Sequence, residues 1–152
     1  MKKIIRLDRI PDNSMISDGF TRIDYYDTYQ LTKNTNQSIE QITEGIFNLP
    51  GWVNWLMILR NSIVRLFGLK TEKNRDKDQE FYFTVIDRNE NEIVMGEDDK
   101  HLNFRTSTMI DRDQSFIYLT TLVQFHNKGG RFYFLVIKPF HQFLMRQLLK
   151  RL

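Results

Sequence analysis

The sequence predicts an α+β fold in which helices cover one antiparallel β-sheet. Two observations carry this prediction. Several strand-like segments follow one another through short polar turns in the second half of the chain, and segments with helical spacing precede and follow them. Strands joined by short turns pair in the antiparallel direction, and the helices then supply the cover for the apolar face of the sheet. The 152 residues suffice for one hydrophobic core, so we expect a single domain over 1–152.

The first third of the chain predicts one strand followed by two helices of short to medium length. Residues 1–19 contain Pro11 and Gly19 and indicate an irregular or edge segment, and residues 22–32 are rich in Tyr and Thr and predict a strand. A first helix is expected after a cap at Ser38 or Asn36. Its apolar residues recur at helical spacing: Ile39, Ile42, Ile46 and Phe47.

The second predicted helix, over 52–67, is the most apolar stretch of the chain. Trp55 belongs to its apolar stripe, and Arg60 projects into the same apolar arc. Sixteen residues rise only about 24 Å, short of the roughly 30 Å hydrocarbon core, so a transmembrane span is not expected. A helix lying on a membrane surface stays an alternative. Arg60 either pairs with an acid of the sheet or holds an anionic ligand group.

The second half of the chain predicts a meander of strands and a final helix. From residue 79 we expect a strand, a turn at 88–91 and a returning strand, then strands over 102–110, 115–125 and 131–137. The segments 111–113 and 127–130 are typical of hairpin turns. Pro139 is expected to open a long C-terminal helix that ends at Leu152, with His141 in its first turn on an apolar stripe that starts at Phe140.

Two of the predicted strands are apolar on both faces. They are the strands predicted over 115–125 and 131–137. In an antiparallel sheet with one solvent-exposed face, apolar and polar residues would alternate along each strand. The second face is therefore covered, either by the N-terminal segment or by a second subunit, and we expect a homodimer.

Composition and motifs exclude several function classes. The chain has no cysteine, which excludes thiolate metal sites and cysteine nucleophiles. No nucleotide-binding glycine motif and no zinc-helix histidine spacing occurs, so neither a cofactor nor a metal is expected. The 22 basic and 19 acidic residues are interspersed, which does not favour nucleic-acid binding. The N-terminus has no signal-peptide pattern, and we expect a cytoplasmic protein.

Few residues remain as candidates for chemistry. The histidines are His101, which follows three acids, His126 and His141. Acids occur as pairs at Asp98/Asp99 and at Asp24/Asp27. Such pairs either stabilise turns and helix caps or lie on the surface, or they take part in acid–base chemistry. His141 on an apolar stripe is either a hydrogen-bonded core residue or part of a pocket.

Three blocks of the sequence resemble an uncharacterised bacterial family of domains of unknown function. They are PGWVNWLMILRNSIVRLFGLK (50–70), GEDDKHLNFR (96–105) and TTLVQFHNKGGRFYFLVIKPFH (120–141), with weaker agreement at 23–31. Members of the family occur alone or behind a short-chain-dehydrogenase-like NAD(P)-binding domain. The order of the predicted elements, one strand, two helices, a meander and a long terminal helix, looks like the helix-grip fold of the START-like (SRPBCC) superfamily. The family has no established activity, so no catalytic residue is carried over.

Together these observations lead to one hypothesis and two alternatives. We expect a binding protein that holds a small hydrophobic ligand between the sheet and the C-terminal helix. The first alternative is a cyclase-, dehydratase- or hydrolase-like enzyme of the same fold, with two or more of the histidines, Asp99 and Arg105 converging on one cleft. The second is a structural or partner-binding domain. The candidate ligand-binding residues are Arg60, Trp55, His141, His101, Arg105 and His126.

Overall fold

A computed structural model describes residues 2–48, 51, 62, 81, 83–98 and 100–152. These residues form a six-stranded antiparallel sheet and two helices, the second long and C-terminal. The predicted α+β class is confirmed, and the arrangement is consistent with a helix-grip-like fold. The elements are β1 (Ile4–Leu7), β2 (Tyr25–Thr32), α1 (Ile39–Phe47), β3 (Thr84–Arg88), β4 (Glu92–Asp98), β5 (Leu102–Asp111), β6 (Phe116–Phe125) and α2 (Lys128–Lys150).

The strands lie in the order β1-β2-β6-β5-β4-β3, so β6 pairs with both β2 and β5. Asp27 of β2 is the register partner of Thr121 in β6, which is in turn the partner of Thr106 in β5. Since directly paired residues point to the same face of a sheet, these three side chains form one polar row across its centre.

The predicted first helix is present as α1, and Ser38 is its N-cap. The Ser38 hydroxyl accepts a hydrogen bond from the backbone N–H of Gln41, and the Gln41 side chain accepts one from the backbone N–H of Ser38. This reciprocal capping box satisfies two N–H groups that would otherwise lack partners at the helix start. The predicted turn at 88–91 is also present, and the Asn89 carboxamide oxygen accepts from the N–H groups of Asn91 and Glu92.

The predictions of a hairpin turn at 127–130 and a strand at 131–137 are wrong. Asn127 is the N-cap of α2, and its side chain accepts a hydrogen bond of 2.9 Å from the N–H of Gly130. Residues 131–137 belong to the helix. Their Phe, Tyr, Val and Ile side chains favour strands intrinsically, but packing of a helical stripe against the sheet overrides that preference. The buried members of α2 are Gly130, Phe134, Met145, Leu148 and Leu149.

Pro139 does not open the C-terminal helix but lies inside it. A proline in a helix interior removes one backbone hydrogen bond, here to the carbonyl of Leu135. Both residues are exposed, so water can bind the freed carbonyl. Because α2 begins at Lys128 and not at Pro139, two further predictions are also wrong. His141 lies in the second half of the helix and not in its first turn, and Phe140 is 41% exposed and not part of the buried stripe.

The main core lies between α1, α2 and one face of the sheet, which we call the helix-facing side. It contains Tyr29 and Leu31 of β2 together with Ile117 and Leu119 of β6. The helices contribute Ile39, Ile42, Ile46, Met145, Leu148 and Leu149 to it. Burial of each such side chain stabilises the fold by roughly 1.5–3 kcal/mol, so this cluster fixes α2 across the strands.

Residues 10–20, which we call the N-terminal segment, cover part of the opposite face of the sheet. Ile16 of this segment is fully buried and packs against Val94 and Leu122. Of the two covers expected from the sequence, the N-terminal segment is therefore present in the structure. The homodimer stays a prediction.

Within the described residues, no helix is both long and apolar enough to cross a bilayer. The predicted helix over 52–67, with Trp55 and Arg60, lies outside the described residues apart from Ser62, and Asp99 also lies outside them.

Candidate functional site

A buried carboxylate lies where α2 crosses β2. The side chain of Asp27 is completely buried, and the half-buried Tyr25 donates a hydrogen bond of 2.7 Å from its hydroxyl to Asp27 Oδ2. His141 Nε2 lies 3.0 Å from the same oxygen. The ring nitrogen is not aligned for a hydrogen bond, so this contact is one of ion-pair distance. Strand alternation places Asp27 on the helix-facing side, and the helical stripe of α2 turns His141 towards it.

Around this carboxylate lie an amide and aromatic rings. Gln142 donates a hydrogen bond of 3.0 Å to the hydroxyl oxygen of Tyr25. The ring of Phe134 lies 4.6 Å from that of Tyr25 and 6.2 Å from that of His141. Burial raises the pKa of the Tyr25 hydroxyl, the hydrogen bond from Gln142 lowers it, and the neighbouring carboxylate of Asp27 raises it further. The net shift is upward, so Tyr25 stays protonated at neutral pH and acts as a donor to Asp27.

Several buried polar atoms near this centre have no hydrogen-bond partner in the part of the chain that the structure describes. Asp27 Oδ1 is one of them, although its sister oxygen is bonded. The others on the helix-facing side are Tyr29 Oη, Thr106 Oγ1, Thr108 Oγ1 and His141 Nε2. Buried polar groups are nearly always hydrogen-bonded, so such a concentration on one face indicates a place where a partner molecule or water belongs.

Two cations of α2 flank the buried acid. Lys138 Nζ lies 5.4 Å from the ring centre of Tyr25, and the Arg146 guanidinium carbon lies 5.6 Å from that of Tyr29. Both distances are within the range of a cation–π interaction. The site therefore has a buried acceptor, Asp27, and positive charge near its margin.

The remaining predicted histidines lie at the other end of α2. His126 Nε2 is 2.6 Å from Asp98 Oδ1, and His101 Nδ1 is 3.4 Å from Asn127 Oδ1. His141 lies fourteen positions after Asn127, which is about 21 Å along the helix axis. These two histidines therefore do not join the Asp27 centre.

Arg105 lies on the opposite face of the sheet. Its guanidinium donates to the backbone carbonyls of Ile16 and Asp18 and stacks over the ring of Phe20 at 4.6 Å. It thus holds the N-terminal segment in place. Convergence of Arg105 with His141, which the enzyme hypothesis allowed, is not found, because the sheet separates them.

Glu92 is a second buried acid, and it also anchors the N-terminal segment. The residue is 1% exposed, and its carboxylate accepts hydrogen bonds from the hydroxyls of Ser14 and Ser107 and from the backbone N–H of Met15. Three donors of the protein satisfy both carboxylate oxygens, which is the pattern of a structural carboxylate.

The ends of β1 and β2 border a shallow open groove of about 300 Å³. It is lined by Arg6, Leu7, Asp8, Asp24, Tyr25 and Tyr26. Burial alone would raise the pKa of Asp24, but the hydrogen bonds from Arg22 and from the backbone N–H of Phe125 lower it below its ordinary value. The groove is wide and charged, unlike the apolar hollow expected between sheet and helix.

Asp27 was not among the residues proposed for the site from the sequence, although Asp24/Asp27 was noted as an acid pair. The signal that could have found it is strand periodicity. In YYDTYQL, Asp27 shares a face with Tyr25, Tyr29 and Leu31, so an acid stands among residues that point into the core. Among the described residues, no three acids and histidines are grouped so that they could hold a metal ion.

Comparison with curated proteins and with solved structures found no match to this chain. A model of one protein family, described as a protein of unknown function (DUF2867), matches residues 20–148. The match includes β2 with Asp27 and α2 with His141, and it confirms the resemblance to a family of unknown function. The chain belongs to this family, DUF2867.

Proposed function

We propose that the protein binds a small, largely apolar molecule between the helix-facing side of the sheet and α2, and that Asp27 accepts a hydrogen bond from its polar group. The unpartnered Asp27 Oδ1 carries this proposal. A buried acceptor without a partner costs about 1–3 kcal/mol, and more when it is charged. A ligand with a hydroxyl or amine donor would remove that cost.

The surroundings of Asp27 support a ligand that is apolar over most of its length. The polar row across the sheet offers hydroxyls at Thr106 and Thr121, while Phe134 and the main core supply apolar surface nearby. Ligand sites combine an apolar lining with a few convergent polar groups in this way. A long helix across a sheet, as in helix-grip-like folds, is also a frequent setting for such a site.

Native mass spectrometry of freshly purified protein tests the proposal. We expect a mass above that of the polypeptide, which is lost on denaturation, and a weaker complex for Asp27→Asn. One charge-assisted hydrogen bond of about 1.5–3 kcal/mol corresponds to roughly 10- to 100-fold in affinity. Asp12→Asn is the matched control, because the Asp12 side chain is 89% exposed and far from α2. The same spectrum gives the number of subunits and so tests the predicted homodimer.

Two results would contradict the proposal. One is a wild-type protein that carries no small molecule and whose melting temperature does not respond to apolar alcohols, amines or acids. The other is equal binding by the wild type and Asp27→Asn.

The contact between His141 and Asp27 favours a second candidate function, an acid–base enzyme that acts on the same ligand. His141 Nε2 lies 3.0 Å from the Asp27 carboxylate, and the His141 side chain retains 16% exposure, so an acid and a base lie together beside the proposed ligand site. Once the bound molecule is identified, the wild type should convert it, whereas His141→Gln should bind it without conversion. Identical recovery of an unchanged ligand from both proteins would leave binding as the function.

A further inference from the structure

The two tyrosine rings beside Asp27 each carry a cation of α2. Lys138 Nζ lies over the ring of Tyr25, the residue whose hydroxyl donates to Asp27. The guanidinium of Arg146 lies over the ring of Tyr29, two positions along β2 on the same face. Both cations are exposed, whereas Asp27 is buried. They therefore lie at the solvent-facing rim of the proposed ligand site.

Arg6 of β1 brings a third cation to the same rim. It is the register partner of Tyr29, and directly paired residues point to the same face of a sheet. Burial raises the pKa of the Tyr29 hydroxyl and Asp27 raises it further, while Arg6 and Arg146 lower it, so all three charges act at this one place. Arg6 is exposed. We call Lys138, Arg146 and Arg6 the rim cations.

Within the part of the chain that the structure describes, no carboxylate lies at ion-pair distance from a rim cation. Asp8 lines the same groove as Arg6, but the two do not form an ion pair. By contrast, Arg22 at the far end of that strand pair has Asp24 at 2.9 Å. An anionic group of a ligand would give the rim cations the partner that Arg22 finds within the protein.

We infer that the ligand is an apolar hydroxycarboxylic acid, whose carboxylate lies among the rim cations and whose hydroxyl donates to Asp27 Oδ1. This inference rests on the proposed function, since it names the chemical class of the molecule that the same site binds. The carboxylate stays at the exposed rim, because burial of a charged group costs free energy. The apolar part of the molecule lies inside, against Phe134 and its neighbours.

The charges around Asp27 favour a hydroxyl over an ammonium as the donor. Besides the rim cations, His141 Nε2 lies 3.0 Å from Asp27 Oδ2. An ammonium would bring further positive charge close to these cations, whereas a hydroxyl brings none. A hydroxyl together with a carboxylate therefore supplies a partner both to the unpartnered Asp27 Oδ1 and to the rim cations.

Titration calorimetry of the full chain with four probes of equal chain length tests the inference. The probes are β-hydroxydodecanoate, dodecanoate, dodecanol and dodecylamine. We expect β-hydroxydodecanoate to bind most tightly, with dodecanoate about ten-fold weaker because it lacks the donor. Dodecanol, which lacks the carboxylate, should bind at least about five-fold more weakly, and dodecylamine most weakly of all. A rise in salt from about 0.1 M to about 0.5 M should weaken the binding of β-hydroxydodecanoate but not that of dodecanol, because the rim cations are exposed and screened.

Two variants and one control separate the two polar contacts. Arg146→Gln should weaken the binding of β-hydroxydodecanoate about three- to five-fold, with a much smaller effect on uncharged dodecanol. Arg131→Gln is the matched control, because Arg131 is also an exposed arginine of α2 over a ring, that of Phe125, but lies about 22 Å along the axis from Arg146. Asp27→Asn should reduce the preference for β-hydroxydodecanoate over dodecanoate. If Arg146→Gln expresses poorly, Lys138→Gln serves in its place, with Lys128→Gln as its control.

Two outcomes would overturn the inference and leave the proposed binding function in place. One is dodecanol or dodecylamine binding as tightly as β-hydroxydodecanoate, and the other is equal affinity of Arg146→Gln and Arg131→Gln for β-hydroxydodecanoate. If none of the four probes binds, the inference is also wrong. The proposed function fails with it only if the purified protein carries no other small molecule.

Discussion

The most demanding prediction concerns Glu92, which ties the N-terminal segment to the sheet. Its buried carboxylate accepts three hydrogen bonds, two from serine hydroxyls to Oε1 and one from the N–H of Met15 to Oε2. Glu92→Gln keeps the size of the side chain but replaces one acceptor oxygen with an NH₂ group. With the NH₂ group in the place of Oε2, it faces the N–H of Met15, so one donor meets another. With the NH₂ group in the place of Oε1, the hydroxyl hydrogens of Ser14 and Ser107 lose their acceptor.

The expected loss follows from these contacts. One charge-assisted hydrogen bond contributes about 1.5–3 kcal/mol, and the orphaned donor adds a desolvation cost that partly overlaps with it. We expect Glu92→Gln to lower the free energy of unfolding by about 3 kcal/mol. Ser107→Ala, which removes one of the two donors to Oε1, should cost about 1–2 kcal/mol. Glu90→Gln is the matched control, since Glu90 lies in the exposed turn between β3 and β4.

Urea denaturation followed by circular dichroism measures both losses. With a slope of about 2 kcal/mol per molar, the midpoint of Glu92→Gln should fall by about 1.5 M. Hydrogen exchange gives a local measure, and residues 10–20 should lose protection first, because their anchor has gone. The reasoning would be refuted if Glu92→Gln matched Glu90→Gln in midpoint, or if the N-terminal segment exchanged no faster than in the wild type.

Three further predictions concern α2 and its partner strand. A Cβ on Gly130 would lie 2.0 Å from the carbonyl oxygen of His101, so Gly130→Ala should destabilise the protein by at least about 1 kcal/mol in urea denaturation. Gly45→Ala, whose Cβ would meet only a leucine methyl at 3.4 Å, should be neutral or stabilising, and equal effects would contradict the reasoning. Loss of the N-cap in Asn127→Ala should lower the free energy of unfolding by about 1 kcal/mol, with faster amide exchange in the first turn of α2; unchanged exchange there would argue against the cap. Because the pKa of Tyr25 is raised from 10.0, the folded state keeps a proton that the unfolded chain loses, so stability should fall as pH rises above about 10. Urea midpoints of Tyr25→Phe should fall less steeply between about pH 9 and 11, and parallel curves would refute the assignment.

The sequence was sufficient to predict elements whose local signals agree with their packing. Ser38 and Gln41 form the capping box of α1, and Asn89 forms the turn before Glu92, as residues of these types do in isolation. The prediction of a strand over 131–137 was wrong because the β-branched and aromatic side chains of these residues also suit a strand. The deciding information was non-local: Gly130 lies directly against the backbone of His101, and Phe134 packs on Val123 and Leu102.

Of the candidate site, the sequence predicted His141 but not its contact with Asp27, because that contact is also non-local. His141 stood out because it interrupts an apolar stripe, and Asp27 carried a weaker signal in the alternation of β2. That the two meet depends on α2 crossing β2, with 113 residues between them in the chain. No short-range pattern encodes such a contact. The contact of Arg105 with the N-terminal segment was not predictable either, since the face on which Arg105 lies depends on the register of β5 in the folded sheet.

The strand order also constrains how the chain folds. β3, β4, β5 and β6 follow each other through short turns and can pair soon after each is formed. β2 pairs with β6, whose first residue lies 84 positions beyond the last residue of β2. Formation of this pair therefore closes a long loop, which costs conformational entropy. During synthesis β1 and β2 must wait as an open hairpin until β6 has left the ribosome. The rate-limiting step of folding should accordingly be the docking of that hairpin, and substitutions in the β2–β6 ladder should slow folding more than those in the β3–β4 turn.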